Sequence, residues 1–221
     1  MTQKIVAWSH SRWALYTECP QHAKFKFIDK LPEPQGPALA RGSDIHAQIE
    51  KYLLKGGKVP EVAKSLAKEY RELRKMKPFV EQQLAFTKSW APTGWFSSDA
   101  WCRIMIDAMV PPRKEPIARV YDHKTGKVKE AGEYDTQLEL YNLSTFLQYS
   151  ETQTAEAKLL FTDHGKVIAS EPMQRKDVDA AKKVWEKRVT PMLNDTKFSP
   201  NPGRSCMWCP HAKSKGGKCK Y

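Results

Sequence analysis

The reading turns on two neighbouring stretches, Ile104-Met105-Ile106-Asp107-Ala108-Met109-Val110 and Ala118-Arg119-Val120-Tyr121-Asp122-His123-Lys124-Thr125-Gly126. Each is rich in β-branched and aromatic residues, and Pro111-Pro112 separates them, so they read as consecutive strands. On a strand, Asp122 and Lys124 face one side and His123 the other. A carboxylate beside an ammonium at a strand end suits a reacting phosphate, the acid holding a divalent ion and the lysine offsetting developing charge. Asp107 sits among apolar neighbours, where an acid is costly unless something pairs with it. Two carboxylates from adjacent strands can share one Mg²⁺ or Mn²⁺, which prefer oxygen ligands. The plainer alternative is a pair of strand-end acids with Lys124 as a salt-bridge partner.

Outward from this point the hydrophobic period changes. Phe79 to Trp90, Trp101 to Val110 and Ile117 to His123 read as strands, and Tyr134 to Tyr149 as a helix. Ala157 to Thr162 and Val167 to Glu171 read as a hairpin around Asp163-His164-Gly165, and Asp177 to Leu193 as a last helix. Upstream, Ser9 or Ser11 can cap a helix that reaches Cys19-Pro20, and a shorter one passes through Phe25 and Phe27. Leu31 to Pro37 is a proline-rich loop. Leu39 to Leu54 carries Ile45, Ile49, Tyr52 and Leu53 at helical spacing, and Pro60 opens a basic helix to about Lys75. The order predicts one α/β domain with a central mixed sheet. Residues 1–78 are the mainly helical part, 79–195 the αβ core and 196–221 a cysteine-rich tail.

The chain has 221 residues and a formal net charge of +12. With 40% hydrophobic and 28% charged residues it is globular in composition. No apolar run approaches the ~18 residues that span a bilayer, and the stretch Met1 to Trp8 lacks the apolar core of a leader peptide. A membrane protein, a fibrous protein and a secreted disulfide mini-domain are therefore not expected; a cytoplasmic protein is, in a host cell if phage-encoded. Lys55 to Lys77 and Gly203 to Tyr221 together supply ten of the surplus positive charges. Such clustering suits a polyanion, because each neutralised phosphate releases counterions.

Of 5 cysteines, Cys206, Cys209 and Cys219 crowd into the tail, which points to a metal rather than to disulfides. Three thiolates are one short of a closed site. His211 could complete a zinc site, although it follows Cys209 awkwardly closely; Cys19 could instead return from the N-terminus. Cys102 reads as a buried core thiol. Trp208 suits either stacking on a base or packing over the metal.

Asp107, then Asp122-His123-Lys124, then Gln137 and Tyr141 four residues apart, resemble the PD-(D/E)xK nuclease superfamily, and more narrowly its RecB-like branch, which includes Cas4 and the AddB nuclease domain. Ser9-x-Ser11 through Tyr16 and Cys19-Pro20 is similar to that branch's N-terminal signature, and Arg41-Gly42-Ser43-Asp44-Ile45-His46 to its Gly-x-x-x-His motif. The resemblance implies a restriction-endonuclease-like core with helices flanking the sheet. It implies Asp107, Asp122, Lys124, Gln137 and Tyr141 as catalytic residues, and His46, Asp107, Asp122 and the backbone carbonyl of His123 as ligands of Mg²⁺ or Mn²⁺. It also implies a [4Fe-4S] cluster on Cys19, Cys206, Cys209 and Cys219 as a C-terminal clasp, with Zn²⁺ as the alternative. Arg41, Lys213, Lys215 and Lys218 are the expected nucleic-acid contacts.

The function expected is a metal-dependent exonuclease acting on single-stranded DNA or duplex ends, in repair, recombination or phage DNA metabolism. No Gly-x-x-x-x-Gly-Lys-Ser/Thr motif is present, so a motor would come from a helicase or recombination partner. A non-catalytic nucleic-acid-binding module and a sequence-specific endonuclease are the alternatives.

Overall fold

The structure is a computed structural model that describes residues 4–130 and 132–221. Of the N-terminal stretch read for a leader, the first three residues lie outside this range. In chain order the elements are α1 (His10–Glu18), α2 (Pro20–Phe27), α3 (Pro37–Lys55), a 3-10 turn (Glu61–Leu66), α4 (Ala67–Lys75), β1 (Phe79–Phe86), β2 (Pro92–Thr93), β3 (Cys102–Val110), β4 (Ile117–Lys124), α5 (Asp135–Gln148), β5 (Thr154–Phe161), β6 (Lys166–Ala169), β7 (Met173–Gln174) and α6 (Val178–Asn194). Two further short 3-10 turns, Arg204–Met207 and Lys213–Lys215, lie in the tail.

Two stretches depart furthest from the sequence reading. The first strand stops at Phe86, because the Trp90 N–H bonds to the Thr87 carbonyl and Trp90 takes a φ of 65°, turning the chain into the short β2. The segment after Pro60 begins as a 3-10 turn, and regular helix starts only after Leu66, whose φ and ψ of −119° and 31° are not helical.

The chain forms two compact units, Gly36–Lys182 on the one hand and Met1–Gln35 with Lys183–Tyr221 on the other, the boundary falling within α6. The expected helical segment 1–78 is thus divided between them at Gln35.

The larger unit carries the sheet, in the order β2-β1-β3-β4-β5-β6, with β7 also on β5. All neighbours are antiparallel except β4 and β5, which α5 connects as a parallel crossover. The sheet is therefore mixed, as its sequence order predicts. α5 buries residues nearly all round, including Leu138, Leu140, Tyr141, Leu143 and Phe146. The apolar stripe of α3 (Ile45, Ile49, Tyr52, Leu53) joins Tyr70 and Leu73 of α4 against Ala108, Val110, Tyr121 and Leu160 of the sheet. Packing rather than propensity holds α3 in register with the strand ends that bear the acids.

In the smaller unit, Trp8 stacks on Trp185 with ring centroids 5.2 Å apart, and Trp13 meets Trp185 edge-on at 5.3 Å. The Tyr16 hydroxyl donates to Asp195 Oδ2 at 2.8 Å. Glu18 receives an Asn201 side-chain amide bond on its carbonyl, so the end of α1 is tied to the tail.

Candidate active site

β3 pairs with β4 only from Ala108–Tyr121 to Val110–Arg119. One step further the register would set Asp107 against Asp122, and there the ladder stops. The backbone amide of His123 donates instead to Asp107 Oδ2 at 2.7 Å. Both acids are buried, at 7% and 5% exposure. Parting of the strands gives two buried carboxylates room for something other than a backbone ladder.

α3 brings His46 to the same place. Its Nε2 donates to the His123 carbonyl at 2.8 Å and its Nδ1 lies 3.5 Å from Asp107 Oδ2. The Asp107 carboxylate beside it raises the His46 pKa, against the opposing effect of burial. Burial pushes the Asp107 carboxyl up, but the His46 bond and the His123 backbone N–H more than offset it, and Asp107 titrates below its ordinary value.

Asp122 is held differently. Tyr141 donates to its Oδ1 at 2.5 Å, Gln137 approaches the same oxygen at 3.4 Å and also donates to the Tyr141 hydroxyl at 2.8 Å, and Lys124 Nζ lies 2.7 Å from Oδ2. Gln137 and Tyr141 are one helical turn apart on α5 and share a face. Burial, opposed by Lys124 and reinforced by Asp107, raises the Asp122 pKa. Two neighbouring acids pushed in opposite directions are a common feature of reactive sites. His123 turns its imidazole away from the acids, pairing Nδ1 with the Tyr70 hydroxyl at 3.2 Å. Burial, opposed by Asp107 and helped by the charges of His46 and Lys124, lowers its pKa to about 4, so the ring is neutral.

Two residues absent from the sequence reading belong here. Glu81 of β1 contributes a carboxylate oxygen within 4.8 Å of ligand atoms of His46 and Asp107. Nothing in Phe79-Val80-Glu81-Gln82 marks it, because only strand pairing brings it to the site. Tyr70, the partner of His123, was equally silent in a helix that reads as basic and solvated.

The donors that come together, His46, Glu81 and Asp107, have ligand atoms within 4.8 Å of one another and suit a hard divalent ion, while Asp122 lies outside that group with its oxygens met by Tyr141, Gln137 and Lys124. The site opens on a cavity of about 580 Å³, lined by His46, Glu50, Glu81, His123, Lys124 and Thr125 among others. Gly126, just beyond, takes a φ of 81° and donates its N–H to Asp163 Oδ2 at 2.9 Å, which turns the chain out of β4.

A profile described as the PD-(D/E)XK nuclease superfamily matches residues 7–214. The chain belongs to the PD-(D/E)XK nuclease superfamily. Among solved structures, one provisionally named an exonuclease, from Eubacterium rectale, superposes with a TM-score of 0.56 at 14% identity, covering 93% of this chain and 88% of that one. The protein SSO0001 superposes with a TM-score of 0.50 at 13% identity, covering 95% and 85%. At these identities the likeness shows the restriction-endonuclease-like fold. No curated protein matches the sequence. As a PD-(D/E)XK nuclease the chain is a phosphodiesterase of a divalent-metal class with a nucleic-acid substrate. Among the described residues, no helix is long and apolar enough to cross a membrane.

In this PD-(D/E)XK chain the four cysteines of the sequence reading line one pocket of the smaller unit: Cys19, between α1 and α2, with Cys206, Cys209 and Cys219. Backbone N–H groups of Gly203 and His211 bond to the sulfurs of Cys206 and Cys209, and Cys219 Sγ donates to Gln21 at 3.2 Å. Burial first, then the three other sulfurs, raise the Cys209 pKa. His211 is not part of that lining, and its ring faces Phe25 and His22. Cys102 is fully buried, as its strand position suggests. Trp208 is 80% exposed and does not cover the pocket. Arg41 gives both terminal guanidinium nitrogens to Asp163 at 2.7 and 2.9 Å, so a phosphate would have to compete for it. Lys213, Lys215 and Lys218 are exposed.

Proposed function

We propose that this chain is a divalent-metal-dependent deoxyribonuclease of the RecB-like branch, an exonuclease that degrades single-stranded DNA or works inward from duplex ends. The observation that carries the reading is that His46 meets both Asp107 and the His123 carbonyl while Lys124 meets Asp122, with His46, His123 and Lys124 lining one open cavity. Asp107, Asp122, His46 and the His123 carbonyl hold Mg²⁺ or Mn²⁺. That ion supplies a source of hydroxide at neutral pH and draws charge from the phosphate.

The side chains do the rest. Lys124, beside Asp122, stabilises negative charge where water attacks phosphorus. Tyr141 and Gln137 clamp Asp122, and the His123 N–H clamps Asp107, so neither acid has to reorganise during the reaction. The phosphorus–oxygen bond to the leaving nucleotide breaks, and the leaving oxygen takes up a proton.

Cys19, Cys206, Cys209 and Cys219 hold a [4Fe-4S] cluster of structural role. Two backbone N–H donors to the sulfurs support thiolate ligation. Colourless protein with stoichiometric zinc would replace that cluster by Zn²⁺. Lys213, Lys215 and Lys218 contact the DNA backbone, as does Arg41 when released from Asp163. The work is intracellular, in repair, recombination or phage DNA metabolism, with a helicase or recombination protein as partner.

The test is Mn²⁺-dependent release of nucleotides from end-labelled linear DNA. Release from linear but not covalently closed DNA is expected, abolished in Asp107→Ala and Lys124→Ala while DNA binding persists. Discrete fragments from closed circles would favour a sequence-specific endonuclease. Binding without release in any metal would leave a non-catalytic module.

A further inference from the structure

The geometry points to a second metal site, separate from the nuclease centre and adjoining the cysteine pocket, which His22 also lines, in which His22, Glu33 and His211 bind a borderline divalent cation of the Zn²⁺ class. One oxygen of Glu33, Oε1, lies 2.8 Å from His22 Nε2 and 3.5 Å from His211 Nε2. The three ligand atoms all fall within 4.8 Å of one another. A tetrahedral ion with bonds of about 2.0–2.1 Å separates its ligands by roughly 3.3–3.4 Å, and the two contacts straddle that figure.

His211 supplies the independent observation. It is 5% exposed, and its Nε2 is shut off from solvent without a hydrogen-bond partner. The 3.5 Å to Glu33 exceeds the usual N–H···O range of 2.7–3.2 Å. A buried polar atom left unmatched destabilises the fold, and a cation between His211, Glu33 and His22 removes that cost. The sequence reading offered His211 as a fourth ligand for the cysteines, but it is absent from the lining of their pocket and its ring meets those of His22 and Phe25.

The surroundings preset the site. Pro32 and Pro34 flank Glu33 and stiffen its loop, which lowers the entropy of holding the carboxylate in place. The Lys26 ammonium pairs with the other oxygen, Oε2, as outer partners of ligating carboxylates commonly do, and leaves Oε1 to face the two imidazoles. Two imidazoles and one carboxylate favour zinc over magnesium or calcium. Such an ion would pin α2, the proline loop and the C-terminal tail together within the smaller unit, independently of what the nuclease centre does.

The experiment uses the full chain with Asp107→Ala in every sample, to weaken competition from the nuclease centre, after dialysis against EDTA. Zn²⁺ is titrated against a chromophoric chelator. The parent is expected to take up one more equivalent than the same chain carrying His22→Gln or His211→Gln, at equal iron and sulfide content. Equal uptake in all three overturns the site. Should His211→Gln fail to fold by circular dichroism, His22→Gln decides, since that side chain sits nearer the surface. With Co²⁺, the equivalent that disappears should carry no thiolate-to-cobalt charge-transfer band. A band lost with it would mean that the cysteines had been emptied instead, and would refute the assignment.

Discussion

Glu81 stands directly across the β1–β3 ladder from Asp107, and it does so at a φ of 50°. The flanking pairs Val80–Ala108 and Gln82–Ile106 set that register. Left-handed backbone at a non-glycine residue costs about 1–2 kcal/mol, and burial together with Asp107 and Glu50 raises the Glu81 pKa. Strain and charge crowding at one point mark a residue kept for binding rather than for stability. Glu81→Gly should raise stability by about 1 kcal/mol in urea unfolding, yet weaken Mn²⁺ binding. Glu81→Gln should weaken Mn²⁺ binding without that gain. A glycine variant no more stable than the glutamine one would remove the strain argument.

His46→Ala should weaken Mn²⁺ by more than the 10–100-fold seen when an outer-shell partner is lost. Electron paramagnetic resonance of free Mn²⁺ measures it directly. Affinity for DNA without metal should stay within about twofold. Unchanged Mn²⁺ affinity would place the ion elsewhere.

Tyr141→Phe deletes the donor to Asp122 Oδ1 while keeping the ring that packs in α5. A hydrogen bond to a charged group contributes about 1.5–3 kcal/mol, so a loss of about 2 kcal/mol at neutral pH is expected in denaturant unfolding. Activity should fall together with Mn²⁺ affinity, because Asp122 loses its clamp.

His123 makes stability depend on pH. Its folded pKa of about 4 lies below the ordinary 6.5, so between those values the unfolded chain binds more protons and stability rises with pH. The contribution is complete above 6.5 and lost as pH falls towards 4, about 3 kcal/mol in all. His123→Gln cannot take up that proton, and thermal melts from pH 4 to 7 should show a flatter dependence than wild type. An identical slope would mean the ring is already charged in the folded protein.

Lys124→Ala should cut turnover by roughly 10²–10³, with Mn²⁺ affinity retained, because the lysine offsets charge and is not a ligand. Single-turnover rates on end-labelled DNA at saturating Mn²⁺ separate the two effects. A loss confined to metal affinity would assign Lys124 to holding Asp122 alone.

Local chemistry made much of this molecule readable in advance. Asp122 and Lys124 fall on one face because strands alternate, and Gln137 and Tyr141 meet because a helix turns in 3.6 residues. The crossover helix between β4 and β5, and the apolar stripe of α3, follow from periodicity in the same way. Glu81, Tyr70 and the unmatched nitrogen of His211 gave no such signal. Each owes its place to a partner far along the chain, and no spacing rule reaches that distance. The Arg41–Asp163 pair is of the same kind: the sequence offers a free basic residue, and the fold gives it an acid.

From the order of its residues alone, the chain is committed to an α/β architecture with acids and a lysine at strand ends, because side-chain alternation and helical period are local and survive any packing. Only three-dimensional assembly decided that β3 and β4 separate at Asp107 and Asp122, that α3 delivers His46 to a carbonyl 77 residues away, and that four cysteines share a pocket. Those outcomes depend on burying distant apolar faces against one another, and burial is a property of the whole packed chain rather than of any window within it.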